Sequence, residues 1–205
     1  MRKKIKILAT GDLHGDKKAA ERLAEKAEKE NVDYTIITGD FSFGGTYFDN
    51  LIGPFAKRNK KVLLIPGNHE TVATVKFLEA KYSNVFNMHD NAIKKDHLGI
   101  FGVGSANIGM FQMPEEKIFK SLEKNWKKIK GLEKTIMVTH VHPTGTLMEQ
   151  FTNFFPGSDA VRFAIEKFQP TIALCSHVHE AHGLEEKIGK TRVINVGKEG
   201  KIIEI

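Results

Sequence analysis

Five junctions place Asp, Asn or His directly behind an apolar run: Gly11-Asp12-Leu13-His14-Gly15, Thr38-Gly39-Asp40, Pro66-Gly67-Asn68-His69-Glu70, Thr139-His140-Val141-His142 and Ser176-His177-Val178-His179. Carboxylate, imidazole and amide oxygen suit divalent Mn, Fe, Zn, Co or Ni, and the absence of thiolate disfavours Cu(I) and iron–sulfur clusters. Cys175 is the sole cysteine, against nine histidines. An intrachain disulfide and a cysteine-rich zinc module are therefore excluded. Asp12 and His14, two apart in a turn, can bite one ion. A single catalytic ion takes about three protein ligands and keeps an open position. The junctions offer more donors than that, and two ions sharing Asp40 would use them all.

These residues are far apart in sequence, so the fold must bring them together. Short β-like runs alternate with amphipathic helical runs. Strands are expected over 5–10, 34–38, 62–65, 84–88, 92–95, 98–103, 135–139, 171–175, 183–187, 192–196 and 201–205. Helices are expected over 17–30 with Asp16 as N-cap, within 46–59, and over 71–81 and 114–130, with a last one capped by Ser158 or Asp159, burying Val161, Ala164, Ile165 and Phe168, and ended by Pro170. The helix over 114–130 turns Ile118, Leu122, Trp126 and Ile129 to one face once Pro114 has opened it. The strand–helix–strand order of the first half implies right-handed crossovers and a parallel sheet, and the second half reads as mixed. Ligands of open α/β sheets collect at the carboxyl ends of strands, where all five junctions fall.

In that order the junctions give D-x-H, G-D, G-N-H-E, a lone His after a strand, and S-H-x-H. The chain thus resembles the calcineurin-like metallophosphoesterase family over residues 5–197, with Ser176 where that family usually has Gly. The resemblance implies an α/β fold, a four-layer α-β-β-α sandwich of mixed sheets with ligands at strand C-terminal ends, and a single domain over 1–205. It implies two divalent metal ions. Asp12, His14, Asp40 and His179 would hold the first; Asp40, Asn68, His140 and His177 would hold the second. His69 is then not a ligand: as the catalytic residue it would stand over the substrate and stabilise or protonate the leaving oxygen. The implied activity is phosphoric ester hydrolysis, as a phosphodiesterase or phosphomonoesterase. A hydroxide bridging the ions would be the nucleophile, since metal binding lowers the pKa of water from about 15.7 to around 7.

Other residues carry weaker signals. Phe41 and Phe43 follow a ligand, and Phe151 lies between two ligand motifs. Segments 41–45 and 151–157 read equally well as aromatic walls of a substrate pocket and as loops packed on the core or an oligomer interface. Ser158 and Arg162 stand where a helix N-terminus could take a phosphate, against the plainer reading of a cap and a surface arginine. His142 reads as a supporting or structural histidine, His182 as structural, His89 and His97 as solvated, and Cys175 as an inert core thiol. Gly102-Val103-Gly104 lacks the following helix of a dinucleotide fingerprint and reads as a strand-end turn.

The net charge of +6 raises nucleic acid as a partner. Most lysines alternate with Glu on helical faces, a solvated pattern that also accompanies growth at high temperature. Lys124, Lys127, Lys128 and Lys130 form the best candidate patch, without the aromatic interleaving of single-strand binders. A nuclease is the rival enzyme reading, with little room here for substrate-gripping domains. A non-catalytic protein-interaction scaffold on the same fold is the third, weighed down by filled ligand positions. The first apolar run stops at Gly11, short of signal-peptide or membrane-spanning length, so a cytoplasmic protein is expected, with a phosphate-ester substrate and no membrane partner. A homo-oligomer is left open.

Overall fold

A computed structural model of the chain describes residues 4–46, 50–152 and 154–205. The first half alternates β1 (Lys6–Thr10), α1 (Lys17–Lys29), β2 (Tyr34–Ile37), α2 (Gly53–Lys57), β3 (Lys61–Leu64), α3 (Val72–Lys81) and β4 (Val85–Asn87). The second half continues with β5 (Asn91–Lys95), β6 (Leu98–Val103), α4 (Glu115–Ile129), β7 (Lys134–Thr139), α5 (Asp159–Phe168), β8 (Ile172–Cys175), β9 (Glu185–Ile188), β10 (Thr191–Asn195) and β11 (Lys201–Glu204). The helix expected within 46–59 is the five-residue α2, and positions 47–49 lie outside the described residues. Two 3-10 helices, Leu147–Phe151 and His179–Ala181, have no counterpart in the sequence pattern.

The strands form two sheets, ordered β11-β1-β2-β3-β4 and β5-β6-β7-β8-β10-β9. In the first, β1 to β4 are parallel and β11 joins β1 antiparallel. In the second, β6, β7, β8 and β10 are parallel, with antiparallel β5 and β9 at the edges. The expected mixed character of the second half is therefore an edge property. The chain leaves the first sheet after β4 and returns only at β11.

Strand alternation makes the layers. Ile7 and Ala9 of β1 face a cluster between the sheets, together with Ile36, Leu63, Ile136, Val138, Leu174 and Ile194. Leu8 points the other way, with Ile37, Val62 and Leu64, onto Leu23 of α1, Phe55 of α2 and Val75 of α3. Met137 and Ala173 face α4 and α5 through Leu122, Ile129, Val161 and Ile165. Both faces of each central strand are covered, which is why these strands read as continuous apolar runs. The result is a four-layer α-β-β-α fold.

The helices follow their expected faces with one change. Asp16 caps α1 by accepting from the Ala19 N–H, and Ala19, Ala20, Leu23, Ala24 and Ala27 are buried. In α4 the fully buried position is Asn125, while Trp126 packs at the margin of the cluster. Asn125 donates to Asp90 (3.1 Å) and to the Ser121 carbonyl (2.9 Å), so its amide enters the core satisfied. No helix among the described residues is long and apolar enough to cross a membrane.

The cluster between the sheets fixes how the two sets of strand ends face each other. Leu174→Ala, at a fully buried position there, should cost about 2–5 kcal/mol in a urea titration.

Candidate metal centre

All five junctions lie at the C-terminal ends of β1, β2, β3, β7 and β8, on one edge of the sandwich. Four of the donor residues there have left-handed backbones: Asp12 (φ 53°), His14 (φ 43°), Asp40 (φ 48°) and His177 (φ 76°). Such conformations cost non-glycine residues of the order of 1–3 kcal/mol each and cluster at functional sites. Here a backbone ladder holds them. Asp12 N–H donates to Gly39 O (3.0 Å), His14 N–H to Asp40 O (2.9 Å) and Gly15 N–H to Phe41 O (2.9 Å). The parallel pairing of β1 and β2 thus continues beyond both strands and curls the side chains back over the sheet edge.

Two glycines make the crowding possible. A Cβ on Gly39, whose φ is +98°, would lie 2.5 Å from Gly67 N, and a Cβ on Gly67 would lie 1.9 Å from Asp40 Oδ1. The second and third junctions are in backbone contact, with the Asp40 carboxylate against one face.

Glu70 ties those two junctions together. It is 1% exposed and accepts from Asp40 N–H (2.9 Å), Gly67 N–H (2.9 Å), Ser42 N–H (2.7 Å) and the Ser42 hydroxyl (2.7 Å). Burial first, then the Asp40 charge, pushes its carboxyl up to about 7 against those hydrogen bonds. The sequence reading included Glu70 in its motif without a role, because nothing in the spacing shows which N–H groups will need an acceptor.

The donor atoms collect in three overlapping groups, Asp12/His14/His179, Asp40/His140/His177 and, between them, His14/Asp40/His69, each within 4.8 Å. His14 Nε2 and His179 Nε2 are 3.0 Å apart. His140 Nε2 lies 2.9 Å from Asn68 Oδ1, 3.2 Å from Asp40 Oδ2 and 3.2 Å from His177 Nδ1. Asp40 Oδ2 is also 3.8 Å from His14 Nε2, so one carboxylate reaches both outer groups. Two donors about 2.1 Å from one ion and at right angles are about 3.0 Å apart, so these spacings fit a coordination shell.

The proton placement also fits. His140 Nδ1 faces the Thr38 carbonyl (2.9 Å) and Ser176 Oγ (3.1 Å). The neutral ring donates its Nδ1–H there and leaves the Nε2 lone pair facing the cluster, as metal-ligating histidines do. Ser176 therefore adds a partner to His140, and its hydroxyl also accepts from Thr38 Oγ1 at 3.0 Å. Backbone N–H groups steady the carboxylates: His177 N–H donates to Asp12 Oδ2 (3.1 Å) and His69 N–H to Asp40 Oδ1 (2.9 Å).

The electrostatics follow from burial and these neighbours. Burial raises the Asp12 pKa, against the pull of His140. Asp40 is also penalised by burial, but His140 and the His69 N–H hold it well below the usual carboxylate range. Burial opposes charge on His140, yet Asp40 overrides it and pushes that pKa up to about 9. Burial lowers His14 to about 4 and His177 further, so both rings are neutral with free lone pairs near pH 7.

His69 joins only the bridging group, with His14 and Asp40. Its Nδ1 accepts from the Gly44 N–H (3.1 Å), and its Nε2 is 3.9 Å from Asp40 Oδ2. Phe43 stacks on its ring at a centroid distance of 5.1 Å. Phe155, more than Phe151, meets a donor: its ring is 5.2 Å from His177, edge-on at 71°.

Three of the expected substrate contacts point elsewhere. Phe41 is wholly buried in the helix-side core with Leu13 and Phe55; alternation alone would put Phe43 on the same side, but the tight turn that pairs Phe43 with Thr46 carries that ring out to His69. Ser158 is buried, accepts from Val161 N–H (3.1 Å) and donates to Glu115 (2.6 Å). Glu115 also accepts from Ala160 N–H (2.8 Å), so a carboxylate already fills the α5 N-terminus and a phosphate is refused there. Arg162 pairs with Glu166 at 2.6 Å.

Of the remaining histidines, His142 is fully buried beside His177 with neither ring nitrogen partnered. His89 is half-buried and accepts from Gly104 N–H (3.1 Å), not solvated as expected. Cys175 is buried and its thiol is pushed up by burial, in keeping with an inert core residue. In the lysine cluster, Lys124 pairs with Asp90, Lys127 with Glu123 (3.2 Å) and Lys128 with Asn125 (2.8 Å).

This fold and donor set agree with what is known of other proteins. The family model for calcineurin-like phosphoesterases matches residues 5–181, and the chain belongs to that family. The TT1561 protein of Thermus thermophilus superposes with a TM-score of 0.78 at 18% identity, covering 99% of both chains. A dimetal phosphatase from Danio rerio gives 0.66 at 9% identity, over 95% of this chain and 88% of that one. An archaeal phosphodiesterase gives 0.56 at 16% identity, over 98% of this chain and 100% of the other. At such identities the likeness is one of fold. No curated protein sequence matches the chain significantly.

The His140 proton sets a pH dependence. Its folded pKa, about 9, lies above the ordinary 6.5. Its contribution is complete below the lower value and is lost as pH rises through the higher one. Metal-free protein should therefore show a urea midpoint that falls between pH 6.5 and 9. Loading with a divalent ion, which takes only the neutral ring, should flatten that fall. A rising midpoint in the metal-free protein would refute the pairing.

Proposed function

We propose that the protein is a metal-dependent phosphoric ester hydrolase with a binuclear centre. The observation that carries this reading is Asp40, one carboxylate within reach of both outer donor groups. Asp12, His14 and His179 would hold one ion with it; Asn68, His140 and His177 would hold the other. Two such ions supply charge that clamps the oxygens of an in-line phosphoryl displacement and yields a nucleophile at neutral pH. Residues 1–205 act as one catalytic unit in this reading, and Mn is one of several ions that the donor set suits.

The side chains then divide the work. Asp12 and Asp40 bring two negative charges against four positive ones, and Asn68 ligates without adding a third. The excess positive charge favours an anionic phosphate and its more negative transition state. His69 is oriented by Gly44 and Phe43. Its Nδ1 is occupied as an acceptor, so the proton of the neutral ring is on Nε2, facing the donors. From there it donates to the leaving oxygen, a role typically worth about 10²–10⁴-fold. The family match, with a dimetal phosphatase and an archaeal phosphodiesterase among the fold relatives, supports this class. Engaged lysines on α4 lend nothing to the nuclease reading, and the complete donor set argues against a scaffold.

Asp40→Ala should abolish stoichiometric metal loading and the hydrolysis of synthetic mono- and diesters across a panel of divalent ions. Full activity in that variant would sink the assignment. His69→Ala should keep both ions by metal analysis and lower kcat by about 10²–10⁴-fold, most for esters with poor leaving groups. Undiminished turnover of those esters would remove His69 from the chemistry.

A further inference from the structure

The mouth of the donor cluster is rimmed by three segments, residues 41–46, 105–112 and 143–158. Each follows a strand end. They are joined to one another: Asn107 Nδ2 donates to Gly157 O at 3.1 Å, and a Cβ on Gly44 would sit 3.9 Å from Met110 Cε. The middle segment is also anchored on a donor residue, Phe111 N–H donating to Asn68 O at 3.2 Å.

The rim segments are apolar and carry no cation of their own; the Arg162 guanidinium lies against the Thr144 and Gly145 carbonyls (3.4 Å each) and is paired with Glu166. Phe43, Met110, Leu147, Phe151, Phe154 and Phe155 are all exposed there. The chain carries 31 Lys and Arg in 205 residues, yet none falls in the three segments. Their only acid, Glu149, is spent on the Gly145 N–H (2.7 Å) and the Gly157 N–H (2.8 Å). A groove for a polyanion needs lysine or arginine along the backbone track. This rim has none to give.

Two rings flank the cluster with faces open. Phe43 is 60% exposed and has one face covered by His69, at an interplanar angle of 28°. Phe155 is 43% exposed and touches His177 by an edge-on contact, so its plane stands away from the site. A chain-like lipid group would want a walled apolar channel. The cavity that adjoins the donors, about 490 Å³, is instead lined by Asp12, His14, Asp16, His179, His182 and Lys198.

We infer that Phe43 and Phe155 select phosphate esters that carry one planar ring, an aryl or nucleobase group, stacked on the rim while the phosphate sits at the donor cluster. The inference rests on the hydrolase reading and names its substrate class. Stacking on an aromatic side chain is sequence-tolerant and should raise kcat/KM by roughly 5- to 100-fold.

The test uses phosphorothiolate diesters whose constant, ring-free leaving group is the thiol of methyl thioglycolate, read with a thiol reagent, and whose second substituent is methyl, octyl, phenyl or thymidyl. The phenyl and thymidyl esters should exceed the methyl ester by that factor, with the octyl ester well behind them. Phe43→Leu and Phe155→Leu keep apolar bulk but remove the ring, and each should draw the phenyl-to-methyl ratio towards one. Calorimetric binding of phenylphosphonate and methylphosphonate to the metal-loaded protein gives a readout that needs no turnover. Ring-dependent binding without hydrolysis of any ester would overturn the hydrolase reading and keep the ring site. Hydrolysis with no ring preference would overturn the ring site alone. An octyl ester equal to or better than phenyl, a steep salt dependence of the ring preference, or a dimer that buries Phe155 in solution would each overturn it as well.

Discussion

Asp12 and Asp40 bury two carboxylates of like charge side by side, and the Asp40 charge adds to the burial penalty on Asp12. Neither can stay ionised there without compensation. The surroundings supply it piecewise. His177 N–H steadies one carboxylate and His69 N–H the other, and His140 lies against Asp40. These donors come from three other strand ends. The backbone turns into left-handed conformations to aim them, and Glu70 gathers the N–H groups that the tight turns would otherwise strand. The two-sheet scaffold is thus a means of bringing five chain segments to one charged locus.

Much of this was legible in the sequence, for a definite reason. A central parallel strand is covered on both faces, so it appears as an unbroken apolar run, and the first polar residue after it marks the sheet edge. That made the donor residues readable in order, from Asp12 to His179. Side-chain direction beyond the strand was harder to read. Phe41 and Phe43 look alike as letters, yet one lies in the helix-side core and the other on His69. The turn after the strand decides which, and it is not encoded in hydropathy.

The outcomes at the α5 N-terminus and on α4 share another cause. Ser158 takes the plainer of its two readings, a cap, and Glu115, distant in sequence, fills the place a phosphate would need. Asn125 took the buried place that hydropathy assigns to Trp126, because Asp90 and the Ser121 carbonyl satisfy its amide. Each depends on a partner from another element, which a local pattern does not contain. Long-range polar pairs also explain the surface charge: lysines of α4 are held by acids and amides, while the three rim segments carry no cation.

The return of the chain to the first sheet has a consequence for how the protein is made. β1 is synthesised before β11, and its outer edge waits for that strand to pair along Lys6 to Ala9. Until then an apolar strand edge stands open, a template for adhesion to neighbouring chains. The Gly11 N–H and the Thr10 hydroxyl, both beside the first donor, likewise wait for the carbonyl of Gly197. A nascent chain halted between β10 and β11 would therefore present both sheets with one sticky seam and an unfinished cradle.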